Sequence, residues 1–421
     1  MHLRPTRHPL ILLLIAVLSG CEPTASESTN SSGPPELVNT ETRPTNKQWK
    51  GIWSFQDESI FFSNQLEGGR LNGIAMDQPN HFKALITAEN YPINPSPWYA
   101  FKVWSVEPVE VTIQLTYTDA KSRYYPKVSV DGEAFIPMDS SRVREIRQED
   151  GAADAAPESI EMRVSLSPDT LWIAAQELWT SSDVDEWMNG IVESSGARRT
   201  TIGSSREGRP LWMMEVGNDE AEKGVLIISR QHPPEVTGFL AMKSFIETLA
   251  GDSEQATAFR ETFKVFNVPL MNPDGVDNGN WRHNTGGIDL NRDWQEFNQP
   301  ETRAVRDFLN KKKEEGFSFS FASDFHSTYY DIYYPLDSSV VNQEAWYIFD
   351  WINKISDRLE VERPNVAPSK YPVPTMVSRN YFYQEHGIPS IVFELGDNTE
   401  RDFVAEKGKI AAEELMKILM K

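Results

Sequence analysis

From about Asp183 to the C-terminus, short apolar runs alternate with segments whose apolar residues recur at helical spacing. Gly224 to Ser229 (GVLIIS) is apolar almost throughout, as a strand covered on both faces requires, and Val236 to Ala250 follows with a helical period. Phe263 to Met271, Phe317 to Phe325 and Pro389 to Leu395 read as further strands; Pro300 to Lys313, Ala345 to Leu359 and Val404 to Met420 read as helices. A strand that returns parallel to its predecessor needs a crossover long enough to hold a helix. This order therefore predicts an α/β domain over residues 176–421, with a mixed, mostly parallel sheet and helices on both faces.

The preceding segment has a different rhythm. Residues 47–175 carry short alternating runs such as Val111 to Tyr117 (VTIQLTY), bounded by Gly, Pro, Asp and Asn, and predict a small all-β sandwich. Gln148 to Ser159 reads as a loop near its end. Residues 22–46, rich in Ser, Thr, Pro, Glu and Asn and without apolar period, read as a flexible tether. At the start, Arg4 and Arg7 precede the apolar stretch Leu10 to Leu18, too short to span a bilayer as a mature helix. Leu18-Ser19-Gly20-Cys21 resembles the lipobox of bacterial lipoproteins. That resemblance implies a signal peptide over residues 1–21, lipidation of Cys21, and a lipid-anchored protein of the bacterial cell envelope, at the outer membrane facing the periplasm.

Charge and cysteine content narrow the chemistry. A formal net charge of −21 disfavours a nucleic-acid partner, which needs a basic stripe. With Cys21 as the one cysteine, the chain can form neither an internal disulfide nor a cysteine zinc cage. Any bound metal must be held by His, Asp and Glu, and only seven histidines are available.

Polar residues gather where the strands end, the place at which open α/β sheets bind ligands. His232-Pro233-Pro234-Glu235 follows one strand, Asn272-Pro273-Asp274-Gly275 another, His326 a third, and Glu394 closes a fourth. The two prolines make a rigid turn that can aim His232 and Glu235 at one point. A catalytic zinc needs three N or O ligands and an open position, so His232, Glu235 and one later histidine would suffice. His-x-x-Glu alone does not carry that conclusion.

The order of the remaining pieces does. His-x-x-Glu, Asn-Pro-Asp-Gly, Arg282, Asp289-Leu290-Asn291-Arg292, His326-Ser327 and Phe393-Glu394-Leu395 are similar to the motifs of the zinc metallocarboxypeptidases, from roughly Arg199 to the C-terminus. The resemblance implies one Zn2+ per chain, held by His232, Glu235 and His326, with Glu394 as general base. Arg282 then polarises the scissile carbonyl, and Asn291 with Arg292 grips the terminal carboxylate. Asp289 is expected to accept a hydrogen bond from a ligand histidine and fix its tautomer. Tyr371 is the candidate for the family's substrate-side tyrosine, with Tyr381 and Tyr383 competing. Arg379, 15 residues before Glu394, falls where the family places the base of the side-chain pocket, and a cation there implies an acidic terminal side chain.

Phe61-Phe62-Ser63-Asn64-Gln65, Gly68-Gly69-Arg70-Leu71 and Asn94 to Phe101 are similar to the β-domain preceding the catalytic domain of cytosolic-type carboxypeptidases, a branch whose members remove glutamates. His-Pro-Pro-Glu departs from that branch's more usual His-Pro-Gly-Glu without changing the ligands. The expected activity is release of the C-terminal residue from peptides. Two alternatives stand beside it: an amidase or carboxypeptidase acting on peptidoglycan-derived stem peptides, and an inactive peptide-binding module tethered to the membrane. In the enzymatic cases the partner is a substrate with a free C-terminal carboxylate.

Overall fold

The apolar run at Gly224 becomes the strand Lys223–Ser229, buried from Gly224 onward and paired in parallel on both sides, with Phe263–Val268 and Ser318–Thr328. These strands belong to a computed structural model that describes residues 38–148, 152, 155–370 and 377–421. Cys21, the 1–21 leader, most of the tether and Tyr371 lie outside the described residues. Ser390–Gly396 extends the parallel set beyond Ser318–Thr328. Antiparallel strands complete a seven-stranded mixed sheet: Pro210–Val216 and Arg198–Ser204 at one edge, Ile332–Pro335 at the other. The strand expected to reach Met271 stops at Val268, because Pro269 has no N–H for the ladder.

Alternation along the central strand assigns the two faces. Val225 and Ile227 share a core with Phe239 and Phe245 of the helix Val236–Ala250, with Trp351 of Tyr347–Arg358, and with Leu415 of Arg401–Leu419. Leu226 and Ile228 pack the other way, against Val305 and Leu309 of Pro300–Glu314 and Phe382 of Ser378–His386. Helices therefore cover both faces, and the strand ends are left for the site.

The N-terminal part is built from two sheets, of six and five strands, between Ile52 and Ala174. Phe62, Phe101 and Val103 from one sheet interleave with Phe82, Ile113 and Met162 from the other. Trp98 and Tyr99 are buried in this core. The same cluster includes Val236 and Trp281 from the α/β part, so apolar packing runs without a break across residue 175. The described residues, from Val38 to Lys421, belong to one compact unit.

The tether differs from expectation. Residues 22–46 read as flexible throughout, yet their described end is laid down on the α/β part. Thr40 is buried, accepting from the Gln299 Nε2 amide at 2.8 Å, and Arg43 N–H donates to Gly286 O at 2.8 Å. No helix among the described residues is long and apolar enough to cross a membrane.

Candidate metal centre and cleft

His232, Glu235 and His326 converge within hydrogen-bond distance of one another. His232 Nδ1 lies 2.8 Å from Glu235 Oε1, His326 Nδ1 lies 2.7 Å from Glu235 Oε2, and the two Nδ1 atoms are 3.2 Å apart. Local structure sets this up. Arg230, at φ 55°, turns the chain off the central strand, and its guanidinium donates to Pro233 O at 2.6 Å, tying the proline turn down. Asn272 Nδ2 braces the same turn through Gln231 O, while its Oδ1 caps the helix Pro273–Asp277. Asn272 and Asp274 are thus structural, and neither lines the cleft.

Both imidazoles turn their outer nitrogen to a carboxylate. His232 Nε2 lies 2.8 Å from Asp289 Oδ1, and His326 Nε2 lies 2.8 Å from Asp324 Oδ2. Each inner Nδ1 is thereby aimed at a common point, the orientation that metal-ligating histidines need. Tetrahedral zinc with bonds of about 2.0–2.2 Å sets ligand atoms roughly 3.3–3.6 Å apart, so this donor set fits that ion after opening by a few tenths of an ångström. Burial opposes charge on Glu235 and on His326. The two imidazoles nevertheless hold Glu235 well below the usual carboxylate range, and Asp324 with Glu235 pushes His326 well above the usual imidazole range.

A cleft of about 300 Å³ opens over the three donors. Glu394 lines it from the end of Ser390–Gly396, directly opposite His326 in the strand register. Burial, then the charge of Glu235, raises its pKa above the ordinary value, and no described group hydrogen-bonds its carboxylate. Arg282 lines the cleft with its Nε donating to Asp289 Oδ2 at 2.7 Å. Asn291 lies between, its Oδ1 accepting from Ser378 N–H at 3.0 Å. Arg292 and Arg379 complete that side. Arg379 is the second residue of the helix Ser378–His386 and is buried, which lowers its pKa to about 10, and its Nη1 donates to Tyr334 O at 2.7 Å. Four arginines line the cleft with Glu235 and Glu394; Arg282 and Arg123 are paired with Asp289 and Asp397, which leaves the cationic character at Arg292 and Arg379.

A model of the zinc carboxypeptidase family matches residues 184–416. The chain belongs to the zinc carboxypeptidase family. It is 29% identical over 161 residues to cytosolic carboxypeptidase 3 of Mus musculus, covering 35% of this chain and 16% of that protein. Against cytosolic carboxypeptidase 2 of Homo sapiens it is 22% identical over 265 residues, 57% of this chain and 29% of that one. The matched part thus spans less than a third of these relatives' length. Among solved structures, a metallo-carboxypeptidase from Burkholderia cenocepacia superposes with a TM-score of 0.68 at 18% identity, over 86% of this chain and 99% of its own. The metallo-carboxypeptidase from Pseudomonas aeruginosa, solved in complex with (2-guanidinoethylmercapto)succinic acid, gives 0.68 at 19% identity, over 85% and 99%. These likenesses cover the β-rich part as well as the carboxypeptidase sheet, and they concern the fold.

Within this carboxypeptidase fold the other aromatic and histidine candidates fall away from the cleft. Tyr381 packs on Trp294 and Phe297, and Tyr383 Oη accepts from Asn342 N–H at 2.7 Å. His283 is buried beside Asn90, and His386 ends a helix capped by Gly387. Sequence reasoning missed four residues at the site. Asp324 stands two before His326 on one strand, and that spacing puts both on one face. Tyr334 lines the cleft beside Arg379. Arg123 and Asn94 reach it from the β-rich part, more than 100 residues upstream of His232; Asn94 opens the motif Asn94 to Phe101, but nothing local assigns it to the cleft, and Arg123 has no local signal at all.

Proposed function

We propose that this protein is a zinc-dependent metallocarboxypeptidase that releases the C-terminal residue of peptides, with preference for an acidic one. What supports the reading is the convergence, in one cleft, of a three-donor metal set, a carboxylate at Glu394 without a hydrogen-bond partner among the described residues, and arginines able to hold carboxylates. His232, Glu235 and His326 would hold one zinc per chain, supplying Lewis acidity toward water and the scissile carbonyl. Glu394 takes a proton from the attacking water and passes it to the departing amine nitrogen as the C–N bond breaks. Arg282 sets its cation where the carbonyl oxygen gathers charge, held there by Asp289. Asn291 and Arg292 take the terminal carboxylate, which fixes cleavage at the last peptide bond.

Arg379 supports the acidic preference. Its Nη1 and Nη2 donate to Tyr334 O and Ser369 Oγ, and among the described residues each nitrogen keeps a second N–H. These remaining N–H groups on a buried cation suit a side-chain carboxylate. The exported, lipid-anchored location rests on Cys21 and the leader before it.

The test is metal analysis with product mass detection on peptides ending in Glu, Leu and Lys, and on muropeptides. About one zinc per chain and fastest loss of Glu are expected. Glu394→Gln should lower kcat by about 10²–10⁴-fold with zinc retained. Absence of zinc defeats the reading at its root, a clear preference for Leu defeats the role of Arg379, and cleavage confined to muropeptides redirects the substrate class.

A further inference from the structure

Strand register separates two ends of the cleft: Arg379 bonds Tyr334 O, opposite Val392 two residues before Glu394, whereas Arg123 bonds Ser327 O and Asp397, one residue beyond His326 and three beyond Glu394. Arg292 and Arg379 occupy one, with Asn291 tied to Ser378 beside them. At the other end stand Ser327 and Thr328, which follow His326 on its strand, together with Arg123 and Asn94 from the β-rich part. A peptide whose terminal carboxylate lies on Asn291 and Arg292 and whose scissile carbonyl lies at Arg282 must send its preceding residues toward this second end.

Arg123 is fixed there. Its Nε donates to Asp397 Oδ2 at 2.7 Å and its Nη2 to Asp397 Oδ1 and Ser327 O, both at 3.2 Å. Its Nη1 donates to Ser96 Oγ at 2.8 Å, and its guanidinium lies 4.9 Å from the centre of the exposed Tyr329 ring. The side chain is 7% exposed. A guanidinium has five N–H groups. Four are engaged in these bonds, which leaves the second N–H of Nη1, on a residue that lines the cleft. Asn94 is exposed, lines the same end, and makes no side-chain hydrogen bond to any described residue. With Asp397 neutralising the guanidinium, this end presents directed hydrogen-bonding groups rather than net charge.

We infer that Arg123 and Asn94 form a backbone-binding subsite for the amide that precedes the scissile bond by one residue, so that the β-rich part supplies the acyl-side wall of the cleft. The inference rests on the carboxypeptidase reading. It implies that substrates with at least one amide upstream of the scissile bond are processed better than those ending at it.

Two substrates with no charge on the acyl side differ by that acetamide group alone: propionyl-Xaa and acetyl-Ala-Xaa, where Xaa is the terminal residue the enzyme releases fastest. In the zinc-loaded full chain, kcat/KM for acetyl-Ala-Xaa should exceed that for propionyl-Xaa by about tenfold or more, the size of one or two hydrogen bonds. In Asn94→Ala and in Arg123→Lys that ratio should fall several-fold toward unity, through KM more than kcat. Asn94→Ala removes an exposed side chain without internal bonds, so it keeps the comparison usable should loss of the Arg123–Asp397 pair unfold the chain. A wild-type ratio retained in Asn94→Ala and in any folded Arg123→Lys overturns the subsite alone. Failure of the zinc-loaded wild type to cleave either substrate overturns the carboxypeptidase reading and the subsite with it.

Discussion

A histidine placed near a carboxylate is common; a pair of histidines each backed by a second carboxylate is a narrower arrangement. Asp289 and Asp324 hold the outer nitrogens of His232 and His326, and each is itself pinned. Asp289 Oδ1 accepts from Asn291 N–H at 2.9 Å and its Oδ2 from Arg282, while Asp324 Oδ2 takes donors from Gln231 and Ser378. Asp324→Asn keeps the shape but gives up the acceptor charge that fixes the His326 tautomer. We expect zinc affinity to fall about 10–100-fold, measured by competition with a chromogenic chelator, and affinity equal to wild type would remove Asp324 from the metal centre. The three converging donors were legible because type and order survive in sequence. Asp324 was not, because a two-residue spacing gives a shared face but not the partner on it. Arg123 and Asn94 were invisible for a different reason: their place in the cleft depends on a sheet packing that no local pattern encodes.

Elements were legible where a period is long enough to read. The helix Val236–Ala250 falls at its expected bounds, since its apolar residues face a core on most sides. The described end of the tether was misread because its order comes from distant partners, Gly286, Asn298 and Gln299, rather than from any period of its own. One position on the Val236–Ala250 helix ties element geometry to the metal donors. A Cβ on Gly238 would run into the backbone of His326, and the N–H of Gly238 donates to Ser327 Oγ at 2.8 Å. Glycine is needed here for close approach, since the helix must sit against the strand for Glu235 and His326 to meet. Gly238→Ala should push the two apart, costing about 1–3 kcal/mol of stability and weakening zinc binding together. Urea unfolding with and without zinc checks this. A variant as stable as wild type would mean that the strand yields without loss.

At the scale of the whole molecule, the β-rich part holds the loop that carries Arg282. The buried carboxylate of Glu89 accepts the backbone N–H groups of Trp281, Arg282 and His283 at 2.7, 3.0 and 2.7 Å. Trp281 inserts into the N-terminal core, and the His283 ring meets Asn90 Oδ1 at 2.6 Å. A boundary drawn at residue 175 is therefore a change of secondary structure and not a break in packing. This seam is also where the fold is exposed to acid. Burial, reinforced by the nearby Arg282 and Arg43 and opposed by Glu89 and Asp289, lowers the His283 pKa from 6.5 to about 4. Between those values the unfolded chain binds a proton on this ring that the folded chain refuses. The stability His283 confers is thus complete above pH 6.5 and is lost as pH falls toward 4, by about 3 kcal/mol in all. His283→Gln abolishes that proton uptake while keeping the backbone bond to Glu89. Denaturant unfolding of both chains at pH 7.5 and pH 4 should show wild type losing about 3 kcal/mol more than the variant over the interval. Equal losses would place the acid sensitivity elsewhere. A smaller loss in the variant, together with less acid inactivation, would show that the join between the β-rich part and the Arg282 loop is what the active site depends on as protons accumulate.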